Sequence, residues 1–433
     1  MSRRRQTENS RGAAAAILAA WLGSGEFPNR LMDGVVEDRA FVMELVYGAI
    51  RWYRPLSRVR SRYARRKPPE ALEALLLVGL YQILFLDNVQ DYAAVNETVE
   101  AAKQRLGPGA GRFVNAVLRK VQSVGRDAVM AGLAAAPAAV RLSHPDALYN
   151  RWLERMGVER TDALCEWNNR RPDVVVRVNR SKVPAAECGR AFAQAGVEAA
   201  PHPFSPDRFL VLPRGAAVAS LPGYADGWFY VQDPSTSMAA DLLAPCAGER
   251  VLDACAAPGG KTAILAEAMG AGSTIVAMDV VGERLAHLQE NLRRLGWSDV
   301  KVLQGHAAKP AAVREALAQA GRDTEFDAIL LDVPCTNTGV LRRRPDARWR
   351  FSPRRLEKAC YVQHAILSGA ASLLAPGGRL VYSTCSLEDE ENERQVQRWL
   401  AAHPEFVQVE MRTLFPPESQ TDGAFAALLQ RKP

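Results

Sequence analysis

The sequence predicts a multidomain chain: an all-α N-terminal domain, a small α/β linker subdomain, and a C-terminal α/β domain with a doubly wound, mainly parallel sheet. Three observations lead there. At 433 residues the chain exceeds the size at which a single core usually keeps growing. The first part is rich in Ala and Leu at helical spacing, and from Gly248 strand-like runs alternate with segments of helical period. That alternation is the pattern of a parallel sheet with crossover helices, which binds ligands at the carboxyl ends of its strands.

The boundaries follow from breaks in pattern. Residues from about 10 to 125 read as helices interrupted at GEFPN, RRKPP and RLGPGAG, which places a first domain at 1–130. An Ala-rich stretch, Ala128–Val140, reads as a helical linker. Short β-rich runs, VVVRVN and RFLVLP, flank the helical AAECGRAFAQAG and mark a small α/β unit at 140–240. In the remainder, 241–433, ERVLDAC, TIVAMD, VKVLQG, FDAILLD and GRLVYSTC are the expected strands.

Composition is that of a globular chain, 48% hydrophobic and 24% charged. The longest apolar run, Leu72–Leu86, is too short for a bilayer and is interrupted by Glu73 and Gln82, so it is expected as a buried helix and no membrane partner is expected. The start, MSRRRQTENSRG, lacks the apolar stretch of a secretory leader, which points to the cytoplasm. Seven cysteines form an odd set without a CxxC pair, so neither a disulfide framework nor a zinc site is expected, and no metal is expected. For Cys165, Cys188, Cys246 and Cys360 the expected role is buried packing.

The net charge of +7 lies at one end: residues 1–67 hold 14 Lys or Arg against 6 Asp or Glu. Its densest part, Arg51–Lys67, has eight basic residues, three aromatics and no acid, a composition suited to phosphate neutralisation and base stacking. A second basic cluster, Leu341–Lys358, begins six residues after Cys335. Two basic clusters, one beside a candidate reactive thiol, point to nucleic acid.

The chemistry concentrates at strand ends. Asp253–Thr262, DACAAPGGKT, ends like a P-loop, but that spacing needs glycine where Cys255 stands, and Pro258 removes an amide from the phosphate nest. Gly259 and Gly260 still let a ligand approach the backbone at a helix start. Asp279, at the end of the next strand, suits the hydroxyls of a ribose, or equally the N-cap of a helix. A ribose without a phosphate requirement fits S-adenosyl-L-methionine. Two further strands end in DVPC and STCS, which places Cys335 and Cys385 at the ligand edge of the sheet.

LDACAAPGGKT, MDVVGERLAHLQENLRRLG, FDAILLDVPCTNTGVLRRRPDARW and LLAPGGRLVYSTCSLEDEENE resemble the successive motifs of the Sun family of RNA cytosine-C5 methyltransferases, and, together with the amino-terminal motifs that follow, the chain resembles the Sun/Fmu (RsmB) family that acts on 16S rRNA. DRAFVMELVYGAIRWY and YAAVNETVEAAKQRLGPGAGRFVNAVLRKV resemble the RNA-binding domain shared with the antitermination factor NusB. The resemblance covers nearly the whole chain. It implies a NusB-like N-terminal domain, a Rossmann-like methyltransferase domain, S-adenosyl-L-methionine as cofactor and small-subunit rRNA as partner, with the chain acting as a monomer. A tRNA methyltransferase would share every catalytic residue, and a non-catalytic RNA-binding or antitermination factor would share the fold.

Cytosine C5 is a poor nucleophile, and a thiolate added to C6 makes it enamine-like. A second group then assists loss of the C5 proton and release. Sequence chemistry alone leaves the two thiols interchangeable, because DNA cytosine methyltransferases use a Pro-Cys nucleophile. The resemblance implies Cys385 as nucleophile, Cys335 as the releasing thiol, and Asp332, with a raised pKa, on the N3 and amino edge of the cytosine. It also implies a cofactor loop of Cys255, Ala256, Ala257, Pro258, Gly259, Gly260 and Lys261, joined by Asp279 and Asp332. Lys261 suits the cofactor's carboxylate or the helix start. Where the family places an acid for the adenine amino group, this chain has His306, whose neutral ring offers one acceptor nitrogen and whose cation offers none, so affinity is expected to fall with pH. Asp422 and Gly423 follow the family pattern, but Ala424 and Ala426 replace aromatics.

Overall fold

The computed structural model describes residues 9–433 except Val36 and Arg65; the leader reading rests largely on residues outside this range, and Arg65 of the first basic run also lies outside it. The described residues fall into two compact units. One runs to Arg170 and includes Arg344–Arg350; the other comprises Arg171–Arg343 and Phe351–Pro433.

The first unit is helical. Helices Ser10–Ser24, Arg39–Arg51, Tyr53–Tyr63, Asp91–Leu106 and Pro108–Val124 accompany the central Glu70–Phe85, which is buried continuously from Glu73 to Leu84. A helix enclosed on all sides needs apolar residues all round, hence the unbroken run in its sequence. Its two polar interruptions find partners inside: Arg60 Nε lies 3.0 Å from Glu73, and Gln82 accepts from Arg11 Nε at 3.1 Å and donates to Thr98 at 3.2 Å. Gly48 admits the Tyr81 ring, which a Cβ there would meet at 2.0 Å. A further helix, Asp146–Asn169, is broken at Gly157 by a left-handed φ of 77°.

The basic runs are less available for phosphate than their composition suggests. In the first, Arg51 and Arg60 are buried and Arg54 pairs with Asp146 at 2.7 Å, leaving Arg58, Arg62, Arg66 and Lys67 exposed. In the second, Arg342 pairs with Asp173 at 2.7 Å, Arg343 with Asp233 and Asp422, and Arg348 is wholly buried. Of the basic residues in that cluster only Arg344, Arg354, Arg355 and Lys358 are exposed. Sequence charge cannot tell a solvated arginine from one consumed by internal carboxylates and carbonyls.

The second unit holds two sheets. Strands β1 (Val174–Val178), β2 (Ala200–Pro201), β3 (Phe209–Leu212) and β4 (Phe229–Val231) form a small antiparallel sheet in the order β2-β3-β1-β4, packed with the helix Ala185–Gln194. Strands β5 (Arg250–Asp253), β6 (Thr274–Asp279), β7 (Lys301–Gln304), β8 (Phe326–Asp332), β9 (Leu374–Thr384), β10 (Phe406–Leu414) and β11 (Ala424–Arg431) form the larger sheet in the order β10-β11-β9-β8-β5-β6-β7. From β9 to β7 every pairing is parallel, as the alternation predicts; β11 and β10 add an antiparallel edge. That edge pair was not anticipated, because Gln408 and Glu410 on β10 and the Ala-rich β11 give little apolar signal. The chain reverses direction across the sheet between β5 and β8, the switch point at which such folds hold ligands. Among the described residues no helix is long and apolar enough to cross a membrane.

Candidate active site

Neighbouring parallel strands β8 and β9 bring the two special thiols together. Asp332 at the end of β8 pairs in register with Ser383 near the end of β9, so the segments that follow leave one edge of the sheet side by side. Cys335 and Cys385, fifty residues apart in the chain, lie with sulfurs 3.3 Å apart. Gly339 makes the approach tight: its N–H donates to the Cys385 carbonyl at 2.9 Å, and a Cβ would lie 2.7 Å from that oxygen. Asn337, in the left-handed region at φ 61°, accepts from the Cys385 thiol at 3.3 Å and donates to the Cys335 carbonyl at 2.9 Å. Sequence reasoning missed Asn337; its signal was an Asn, tolerant of that conformation, two residues after a Pro-Cys. The Cys335 pKa is pushed well up by its hydrogen bond with Cys385 and by burial, which favours its thiol form.

On the other side of the switch point, β5 runs into the glycine-containing turn. Ala254 N–H donates to Leu330 and Ala256 N–H to Met278, which anchors the turn to both neighbouring strands. Gly259, with φ 104°, starts the helix Gly260–Met269. Lys261 in its first turn reaches Asp332 Oδ2 at 2.6 Å, so this lysine partners the strand-end acid instead of only starting a helix. Burial pulls the Lys261 ammonium down, and Asp332 together with Cys385 and Asp253 more than offsets it, for a net upward shift. Asp332 Oδ1 also accepts from Ser383 at 3.3 Å.

Asp279 is not an N-cap. Its carboxylate accepts from Ala257 N–H at 3.1 Å and Val280 N–H at 2.9 Å, and Arg284 lies 3.4 Å away, while Val281 occupies the cap position of the helix Gly282–Leu295. Arg284, also missed from sequence, donates to the Ala257 carbonyl at 2.9 Å and ties the turn to that helix. His306 Nδ1 accepts from Ala308 N–H at 3.1 Å. The acceptor expected to face outward is therefore used within the loop, and the neutral ring presents Nε2–H, a donor.

These residues surround one cavity of about 370 Å³, within the range of small-molecule sites, lined by Cys255, Ala257, Asp279, His306, Asp332, Cys335 and Cys385 with Val280, Val281 and Ile366 as an apolar wall. Ala256, Pro258, Gly259 and Gly260 shape the turn without lining it. Ala424 lines a small adjoining space of about 30 Å³ with Lys261, Asp332 and Cys385. Of the four cysteines expected to be buried, Cys165, Cys188 and Cys360 are, but Cys246 is exposed. It sits in the turn before β5, where its N–H donates to Glu249 at 2.7 Å, a backbone role that leaves the thiol outside.

Beneath the turn, Asp253 is fully buried and accepts from Thr262 Oγ1 at 2.7 Å. Burial pushes its carboxyl up from 3.8 to about 7. The folded state then binds more protons than the unfolded chain between those values, so this group's contribution falls as pH rises from 4 to 7. Asp253→Asn keeps an oxygen for Thr262 and should flatten that part of the stability profile, gaining on wild type at pH 8. Urea midpoints of both proteins from pH 5 to 8 that stay parallel would reject this.

Residues 240–430 match the family described as 16S rRNA methyltransferase RsmB/F, 8–123 the NusB family, and 144–218 the ferredoxin-like domain of RsmF/B-like methyltransferases. Ribosomal RNA small subunit methyltransferase B of Vibrio cholerae is 35% identical over 441 residues, 98% of each chain. The chain belongs to the RsmB/F family of 16S rRNA methyltransferases. A second RsmB relative, from Pseudomonas syringae pv. tomato, is 38% identical over 405 residues, covering 91% of this chain and 87% of that one. The RsmB/F architecture is also that of the crystal structure of PH0851, which covers 100% of both chains at 26% identity and a TM-score of 0.80. The NusB match and the helical first unit agree with the NusB-like expectation, and the seven-stranded sheet with the Rossmann-like one.

Proposed function

We propose that this RsmB/F member transfers a methyl group from S-adenosyl-L-methionine to C5 of a cytosine in small-subunit rRNA, with Cys385 as nucleophile. The observation that carries this reading is the pair of thiols 3.3 Å apart on the wall of the switch-point cavity. The cavity fits the cofactor by the chemistry of its lining: an apolar wall at Val280 and Val281 beside the Asp279 carboxylate suits a base and a ribose. Bound there, the cofactor supplies an electrophilic methyl group.

The chain's own residues carry the rest. Cys385 gives up its proton to solvent and its sulfur bonds to C6, sending the π electron pair of the C5–C6 double bond toward C5 and N3. The Cys335 thiol donates to the thiolate and steadies it. Asp332 faces the N3 and amino edge, with Lys261 fixing its orientation. After C5 is methylated, its proton passes to solvent, the electron pair of that bond restores the C5–C6 double bond as the C6–S bond breaks, and the departing sulfur takes up a proton with Cys335 beside it. Burial among Val333, Val362 and Ile366 limits water at these steps. We place the protein in the cytoplasm, acting as a monomer without metal, with its rRNA held partly by the exposed Arg58, Arg62, Arg66 and Lys67.

The test is methyl transfer from labelled S-adenosyl-L-methionine to unmethylated small-subunit rRNA and to tRNA. Label in rRNA at cytosine C5 supports the reading; label in tRNA alone moves the substrate; binding of both without label leaves an RNA-binding factor. A separate expectation concerns His306. Because its acceptor is engaged by Ala308, His306→Asp should offer the adenine amino group a partner it now lacks and tighten cofactor binding by about fivefold, the worth of one hydrogen bond. Equal dissociation constants by calorimetry would show that the amino group is not read at this position.

A further inference from the structure

Glu391 is fully buried, six residues beyond Cys385, and its carboxylate touches both thiol segments. Oε1 accepts the backbone N–H of Thr336 at 2.9 Å and the Gln363 amide at 2.8 Å. Oε2 accepts the hydroxyls of Thr336 and Ser386. Thr336 directly follows Cys335, and Ser386 directly follows Cys385, so the residues after the two thiols meet on one carboxylate. Gln363 also donates to the carbonyl of Pro334, the residue before Cys335, at 3.0 Å, and the Tyr382 hydroxyl holds the Glu391 carbonyl at 2.7 Å. Among the described residues no Lys or Arg forms an ion pair with Glu391. Burial raises its pKa and the four donors oppose that rise. A carboxylate kept inside without a counter-charge is costly unless its oxygens are filled. Here they are filled by the two segments whose spacing the chemistry needs.

We propose that Glu391 is a positioning residue that sets the separation of the Cys335 and Cys385 sulfurs by clamping Thr336 and Ser386 to a common anchor. Its consequence for turnover rests on the two-thiol reading above, but the separation itself is readable without methyl transfer. The full chain is treated with diamide, which takes two electrons and two protons from a thiol pair as the disulfide forms, and the Cys335–Cys385 product is followed by peptide mass analysis. Glu391→Ala is expected to slow that disulfide about tenfold and to lower kcat about 30-fold with the KM for rRNA within about twofold, as a misplacement near 1 Å would. Glu391→Gln keeps the oxygen used by Thr336 N–H and Gln363 and offers its amide to two hydroxyls free to turn. It should slow both rates about threefold.

A wild-type or faster disulfide rate in Glu391→Ala overturns the proposal, and so does Glu391→Gln as slow as Glu391→Ala, which would make charge the requirement. Should Glu391→Ala fail to fold by circular dichroism, Ser386→Ala removes one arm of the clamp; slowing of about threefold or more supports the proposal and an unchanged rate overturns it. If the disulfide rates behave as expected while wild type methylates no RNA, the positioning role stands and the catalytic reading falls.

Discussion

Cys385→Ala should lose methyl transfer to rRNA by on the order of 10⁴-fold or more, while Cys335→Ala should instead accumulate a protein–RNA adduct that survives denaturing electrophoresis. The asymmetry follows from the pair's geometry. The sulfurs lie within hydrogen-bond reach of each other, and this contact, with burial, favours the thiol form of Cys335. Remove Cys385 and no bond to C6 can form, whereas removal of Cys335 leaves the addition intact and withdraws the group beside the departing sulfur. Tight RNA binding with full loss of turnover in Cys385→Ala separates chemistry from affinity. An adduct in Cys385→Ala and none in Cys335→Ala would reverse the two roles.

The second large effect is expected in stability. Arg348 is fully buried in the helical unit, where its guanidinium donates to the carbonyls of Ser143 and Asn168 at 3.0 Å and to Asn169 Oδ1 at 2.7 Å. Burial, with Arg51 nearby, lowers its pKa to about 9, so it stays charged at neutral pH and the carbonyl cage carries its solvation. Arg348→Ala leaves those acceptors buried and unfilled, a loss of about 3 kcal/mol at roughly 1 kcal/mol or more for each. At a typical urea dependence the midpoint of that unit should fall by about 1 to 2 M. Arg348→Lys should recover little, since a point charge with three donors cannot span a planar cage. A midpoint unchanged in Arg348→Ala would mean the cage is filled by water at no loss.

Much of the site was legible because the chemistry sits at strand ends. Runs such as FDAILLD and GRLVYSTC announce themselves by period and β-branching, and a residue directly after such a run is placed at the ligand edge of a parallel sheet by topology alone. Cys335, Cys385 and Asp279 were placed at that edge in this way, whereas the role of Asp332 came from the family resemblance. Glu391, Asn337 and Arg284 were not, because each acts on backbone groups that only the folded chain brings near, and nothing in ENERQ or TNTG distinguishes such a residue from a surface one. The aims of Lys261 and His306 were equally hidden: whether an ammonium meets a ligand or Asp332, and which imidazole nitrogen faces out, depends on distances of an ångström.

By itself, then, the sequence determined the order of helical and α/β parts, the strands of the parallel sheet and the two thiols, since hydrophobic period and strand-end position are local properties. Tertiary structure alone decided which arginines of the basic runs stay in water, that Cys246 is exposed, that β10 and β11 close the sheet, and that both thiol segments hang from one buried carboxylate. These depend on which groups meet across dozens or hundreds of residues, and solvation and hydrogen bonding are settled only where those groups meet.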